Sequence, residues 1–216
     1  MNYLDELIER YPALSACKVE IETAIRALSQ CYAAGGKLLV CGNGGSAADA
    51  DHIVGELMKG YLKPRPLSED LRARLRAADP ALGPALAECL QGALPAVNLT
   101  AGSALLSAFA NDVRPDLAYA QAAFGHGRKG DVLLGISTSG KASNVRSALV
   151  VGRAVGMTTI GLTGRGGGTK SASGGAMAAL CDILISVPAT RTFEVQELHL
   201  PVYHCICAAV EERFFP

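Results

Sequence analysis

The chain has 216 residues, half of them apolar, with 24 Gly, few aromatics and no Trp. Its 20 basic and 20 acidic side chains cancel, so no general positive potential exists to hold nucleic acid. No run approaches the roughly twenty apolar residues of a membrane span. The length suits one domain with a sizeable core better than two, and small aliphatics with many glycines suit close helix-on-sheet packing. The seven cysteines are odd in number and scattered, with Cys41, Cys181 and Cys205 inside apolar runs. Free, reduced and mostly buried thiols follow; Cys205 and Cys207 stand too close for the usual spacing of zinc sulfurs. The start Met1-Asn2-Tyr3-Leu4-Asp5-Glu6 is too acidic for a signal peptide, and a cytoplasmic location is expected.

Helices are predicted from about Asp5 to Arg10 and from about Leu14 to Ala33. The second carries Val19, Ile21, Ala24, Ile25, Leu28, Cys31 and Tyr32 at helical spacing and stops at Gly35-Gly36. Lys37–Cys41 is a short apolar run that suits a buried parallel strand. Between Leu62 and Pro95 the character changes: Pro64-Arg65-Pro66 breaks structure, and two short helices are expected either side of Asp79-Pro80. This helical insertion either lies over the sheet or serves as a lid or subunit contact. Asp131–Ile136, Thr158–Leu162 and Ile183–Val187 read as further strands. Helices are predicted from about Lys141 to Gly156 and from about Glu194 to Arg213. Gly164–Gly175, rich in Gly, Ser and Thr, reads as a mobile surface loop. Strands alternating with helices imply a parallel sheet with right-handed crossovers.

Two segments share one design: apolar strand, Gly/Ser-rich turn, helix. They are Cys41-Gly42-Asn43-Gly44-Gly45-Ser46 and Gly135-Ile136-Ser137-Thr138-Ser139-Gly140. A helix start offers unpaired N–H groups and partial positive charge, glycine admits close approach, and hydroxyls add donors, so both turns suit a phosphate. The competing reading is plain capping, with Ser46 or Ser139 satisfying its own helix. Neither turn matches the P-loop or the dinucleotide fingerprint. His52 and Glu56, four apart on the helix after the first turn, share a face, which suits two metal ligands, an acid/base pair or a solvated surface pair. The last helix holds Glu194, Gln196, Glu197, His199 and His204, with Pro201 expected to kink it. By wheel angle Glu197 aligns with His204 better than Gln196 does.

Together these segments resemble the sugar isomerase (SIS) domain, and within it the phosphoheptose isomerases that act on sedoheptulose 7-phosphate. The likeness rests on C-G-N-G-G-S-A-A-D-A at 41–50, His52 with Glu56, Asn111-Asp112, G-D-V-L-L-G-I-S-T-S-G at 130–140, and Gln196-Glu197-Leu198-His199 through His204. It implies an α/β fold: one SIS domain over residues 1–216, a Rossmann-like five-stranded parallel sheet between helical layers, with the insertion at about 62–95. It also implies a homotetramer with sites at subunit interfaces. The resemblance assigns phosphate contacts to Ser137, Thr138 and Ser139, and sugar contacts to Asn43, Ser46 and Asp112, with Gly44, Asn111 and Gln196 beside them. Glu56 and His204 are placed at the reaction centre, as base and acid for proton transfer through an enediol. Family members can bind zinc through residues matching His52, Glu56, Gln196 and His204, which favours Gln196 over Glu197. The chain departs from the family pattern at Ala142, where a hydroxyl is usual, at Gly60, where an Arg is usual, and at Phe193, where a polar residue is usual. A phosphorylated sugar is the expected partner. Another class within the family, non-catalytic sensors or scaffolds, is the alternative, and has no need of the His52/Glu56/Gln196/His204 set.

Overall fold

The computed structural model describes residues 2–165 and 177–216. In chain order it contains α1 (Tyr3–Arg10), α2 (Lys18–Ala33), β1 (Leu38–Cys41), α3 (Gly45–Met58), α4 (Glu69–Ala78), α5 (Gly83–Cys89) and β2 (Ala96–Asn98). These are followed by α6 (Ser103–Asp112), α7 (Ala118–His126), β3 (Val132–Ile136), α8 (Ser143–Val155), β4 (Thr158–Gly164), β5 (Ile183–Val187) and α9 (Thr192–Phe214). The strands form one parallel sheet in the order β2-β1-β3-β4-β5. Every residue of β1 and β3 is buried, as expected of strands covered on both faces. On one face lie α2, α3 and α9, whose Ile21, Leu28, Ile53, Leu57, Val202 and Val210 close over Val40, Leu134 and Ile160. On the other lie α7 and α8, whose Ala123, Val145 and Leu149 meet Leu39 and Leu133.

The chain leaves β1 toward β2 on one side and returns to place β3 on the other. The crevice between β1 and β3 is thus the point where strand order reverses, the place where open α/β sheets gather ligands. Both glycine-rich turns leave the sheet there.

Several expectations need correction. The second helix begins at Lys18, not Leu14, because Pro12–Cys17 forms a 3-10 turn with Pro at its start. The last helix starts at Thr192, two residues before the expected Glu194, and its hydrogen-bonded run continues past the buried Pro201 to Phe214. The insertion does form two helices, but they close mainly on each other and not over the sheet. Gly83 lets them touch: a Cβ there would sit 2.2 Å from the Leu75 carbonyl oxygen. Arg72 pins the pair by binding Glu69, Glu88 and the Ala87 carbonyl. Gly164 ends β4, and the rest of the expected Gly164–Gly175 loop, from residue 166, lies outside the described residues. The seven cysteines, all described, are free, and only Cys89 is exposed; burial pushes the Cys41 thiol up to about 12. Among the described residues no helix is long and apolar enough to cross a membrane.

Candidate active site

The helices after the two turns begin without the usual protection. The start of α1 is capped by Asn2 and carries Asp5 and Glu6, and that of α4 is capped by Ser68 with Glu69 and Asp70. Neither α3 nor α8 has a side-chain cap or an acidic residue in its first turn. Ser46 is buried but caps nothing, and Ser139 Oγ instead accepts from Lys141 N at 3.3 Å, before the helix. Simple self-capping therefore does not account for these hydroxyls, and the partial positive charge of each helix start is left for an anion. Gly44 turns with φ +55° and Gly140 with φ +66°, the left-handed region open to glycine.

The two turns are tied to each other. The Asn43 and Asn144 amides exchange hydrogen bonds of 2.9 and 2.8 Å. Tyr119 Oη donates toward the Gly42 carbonyl and Asn43 Oδ1 at 3.0 and 3.2 Å. Sequence reading missed Asn144 and Tyr119. Asn144 could have been suspected from its place just after the hydroxyl turn; Tyr119 carried no local signal.

Further along α3, His52 and Glu56 meet His204 from α9. His52 Nε2 lies 3.1 Å from Glu56 Oε1 and 3.4 Å from His204 Nε2. Burial lowers the pKa of His204, with His52 adding to the effect, so its neutral form is favoured. Tyr203, buried beside it, sets its ring edge-on to both histidines and its hydroxyl against His52 Nδ1 at 3.0 Å and Asp49 Oδ1 at 3.3 Å. Tyr61 faces His204 with ring centroids 5.7 Å apart. A cleft of about 500 Å³ opens from His204 toward α1, lined by Glu6, Arg10, Tyr11, Tyr61 and Leu200 among others. Sequence reading singled out none of Asp49, Tyr61, Tyr203 or Arg10.

Gly60 is enclosed: a Cβ there would meet the Lys63 carbonyl oxygen at 2.8 Å, and its N–H donates to Gln91. The arginine usual in the family could not stand on this backbone. Lys59 supplies the nearby positive charge, its Nζ 3.4 Å from Glu56 Oε2.

Other expected residues lie apart. The Gln196 amide sits over Gly45 at the opposite end of α3, where a Cβ would come within 2.2 Å of its Nε2. Asn111 and Asp112 bond to each other, exposed at the end of α6. His199 is fully buried, and burial takes its pKa down to about 4, so it is a neutral interior imidazole. Phe193 is about half exposed on α9.

Among the described residues no three His, Cys, Asp or Glu side chains form a ready metal-holding group. His52 Nε2 is within 3.4 Å of both Glu56 Oε1 and His204 Nε2. Their chemistry still suits zinc, since two imidazoles and a carboxylate are catalytic-zinc donors. Their spacings are near the tetrahedral edge of about 3.3 Å set by bonds of about 2.0–2.1 Å.

The sequence matches the family model of the SIS domain over residues 2–88 and 80–164. A phosphoheptose isomerase of Desulfovibrio desulfuricans is 40% identical over 194 residues, which is 90% of this chain and 76% of that protein. Another from Rhodospirillum rubrum is 37% identical over 199 residues, 92% of this chain and 88% of that one. Among solved structures, a phosphoheptose isomerase of Neisseria gonorrhoeae superposes with a TM-score of 0.72 at 32% identity, covering 96% of this chain and 94% of its own. One from Francisella tularensis gives 0.71 at 28%, covering 97% and 95%.

Proposed function

The chain belongs to the SIS-domain family, among its phosphoheptose isomerases, and from that premise we propose that it converts sedoheptulose 7-phosphate to D-glycero-D-manno-heptose 7-phosphate. The observation that carries the reading is the meeting of Glu56 and His52, on the helix that starts at the first glycine-rich turn, with His204 of α9 beside an open cleft.

Aldose–ketose exchange moves one proton between C1 and C2. Glu56 takes a proton from C1 while the C2 carbonyl oxygen receives one from His204, giving the enediol. Glu56 then returns its proton to C2 as the C1 hydroxyl gives its own back to His204. Ser137, Thr138 and Ser139 with the α8 start hold the phosphate; Asn43, Gly44 and Ser46 edge the sugar beside them. Zinc, when bound, would polarise the carbonyl. His52, His204 and Glu56 would hold it, and the Glu56 oxygen that faces Lys59 would take the proton. The acid role of His204 then belongs to the metal-free state.

A homotetramer with shared sites is part of the same reading. Gln196 and His204 are eight residues apart on one continuous helix, about 12 Å at 1.5 Å per residue, and Gln196 turns away onto Gly45. A four-ligand set is best closed by Gln196 of a second copy. Asn111 and Asp112, remote from the reaction centre within one chain, would likewise serve a neighbour. A cytoplasmic setting agrees with seven free thiols.

The test is aldose formation from sedoheptulose 7-phosphate and other ketose phosphates, with and without zinc. The parent should turn over the heptulose phosphate, and Glu56→Gln should lower kcat by roughly 10²–10⁴-fold. No turnover of any ketose phosphate by the parent, or a Glu56→Gln variant equal to it, would overturn the reading.

A further inference from the structure

The cleft beside His204 has a wall that the reaction chemistry has not yet used, and the first helix supplies it. Tyr3, Glu6, Leu7 and Arg10 of α1 all line the cleft, and their spacing of i, i+3, i+4 and i+7 puts them on one helix face. Leu7 is buried in the core, so Glu6 and Arg10 stand at the rim of a fixed face. Tyr11, the next residue, also lines the cleft, with the Arg10 guanidinium 5.5 Å from its ring centroid. Across the opening, Tyr61 faces His204 with ring centroids 5.7 Å apart. The Tyr61 N–H donates at 2.8 Å to the buried Glu211 carboxylate, which holds that wall in place.

The composition of this cleft points to a sugar. It gathers three of the chain's six tyrosines, and a tyrosine ring offers an apolar face with a polar tip. That pairing matches the C–H faces and hydroxyl edges of a carbon chain bearing hydroxyls. Arg10 adds five N–H donors and Glu6 adds acceptors. Among the described residues, the polar partner of Arg10 is Glu6 Oε1 at 3.7 Å, too long for a hydrogen bond. Such an exposed pair holds its members only weakly, so the donors of Arg10 are not committed within the chain. Its charge is felt at His204 and at Tyr61, with burial the larger influence on both.

We propose that this cleft is the subsite for the hydroxyl-bearing, reacting end of the phosphorylated sugar, and that Arg10 is a substrate-contact residue in it. The guanidinium donates to sugar hydroxyls while Tyr11 and Tyr61 flank the carbon chain. The cleft volume of about 500 Å³ lies within the range of small-molecule sites. The inference rests on the isomerase reading for its ligand, and that reading holds the phosphate elsewhere, at the hydroxyl turn. Arg10 should therefore matter to the sugar and not to the anion.

The test compares a heptitol 7-phosphate, which has no carbonyl and cannot turn over, with inorganic phosphate, each titrated by calorimetry. Arg10→Met should weaken the heptitol phosphate about 10–100-fold, the loss of charge-assisted hydrogen bonds, and leave inorganic phosphate unchanged. Its melting curve should stay near the parent's, because the Arg10 side chain is exposed. Arg76→Met, which removes an exposed arginine from the insertion, should change neither affinity and controls for lost charge. In the isomerase assay Arg10→Met should raise KM with kcat held, as expected of a contact made alike in the ground and transition states. An unchanged heptitol phosphate affinity in Arg10→Met, a matching loss for inorganic phosphate, or the same loss in Arg76→Met would each overturn the proposal. An inactive parent whose heptitol phosphate binding still depends on Arg10 would support the subsite and count only against the isomerase reading. An active parent with Arg10→Met unaltered in both binding and KM would sink the subsite alone.

Discussion

At the level of single residues, two neighbouring glycines answer to different demands. Gly44 has φ +55° and ψ −120° with open space where a Cβ would go. Gly44→Ala therefore costs backbone strain of about 1–3 kcal/mol without touching anything. Gly45 is helical, and a Cβ there would meet only the flexible end of Gln196 at 2.2 Å. Gly45→Ala should leave the melting temperature near the parent's, because alanine favours the helix by up to about 1 kcal/mol, while displacing Gln196 and lowering turnover severalfold. Thermal melting beside kinetics on both variants checks this; a Gly45→Ala enzyme with full activity would show that Gln196 does not need its seat. The sequence marked both glycines as one turn. It could not show that the second makes room for a side chain far along the chain, since that contact exists only once α9 lies along α3. Tyr119 and Tyr203 were hidden for the same reason: their partners, Asn43 and His52, are brought to them by the fold and not by local spacing.

At the level of elements, the carboxyl end of α3 is fastened to α9 by one buried ion pair. Arg65, with its side chain fully enclosed, binds Glu211 Oε1 through Nε at 2.8 Å. It also donates to the Leu57 and Glu56 carbonyls at 2.6 and 3.0 Å, oxygens that a helix end leaves without partners. Glu211 accepts from the Tyr61 and Leu62 N–H groups as well. Burial would raise its pKa, but these N–H donors and Arg65 hold it below the usual carboxylate range. Arg65→Met strands Glu211 in the interior and should cost about 3–5 kcal/mol by urea unfolding. Arg65→Met with Glu211→Met should recover much of that loss, because no uncompensated charge remains. Additive losses in the double variant would mean that the separate backbone bonds, and not the ion pair, carry the stability. From the sequence, Pro64-Arg65-Pro66 announced only a break in structure; the role of the arginine between the prolines depends on a glutamate that arrives with the last helix.

For the whole molecule, the alternation of apolar runs and helical periods was enough to read a parallel α/β sheet, and four of its strands fall where the runs lie. The edge strand β2 has three residues, too few to show a period, so the reversal of strand order between β1 and β3 was invisible even though both glycine-rich turns were plain. What a single chain leaves unfinished is more telling. The helix α6 reads Ser-Ala-Leu-Leu-Ser-Ala-Phe-Ala-Asn-Asp and yet buries none of its residues, with Leu105 at 40% exposure. An apolar helix uncovered along its length is the mark of an interface, and this one ends at Asn111 and Asp112, which lack any role within their own chain. A charge at its centre should therefore separate subunits without unfolding them. Leu105→Glu should keep the parent's far-ultraviolet spectrum, scatter light as a smaller species than the parent, and lose isomerase activity as the particle dissociates. Should the variant keep the parent's mass, α6 is not the contact; should it dissociate yet remain active, Asn111 and Asp112 do not complete a neighbour's site.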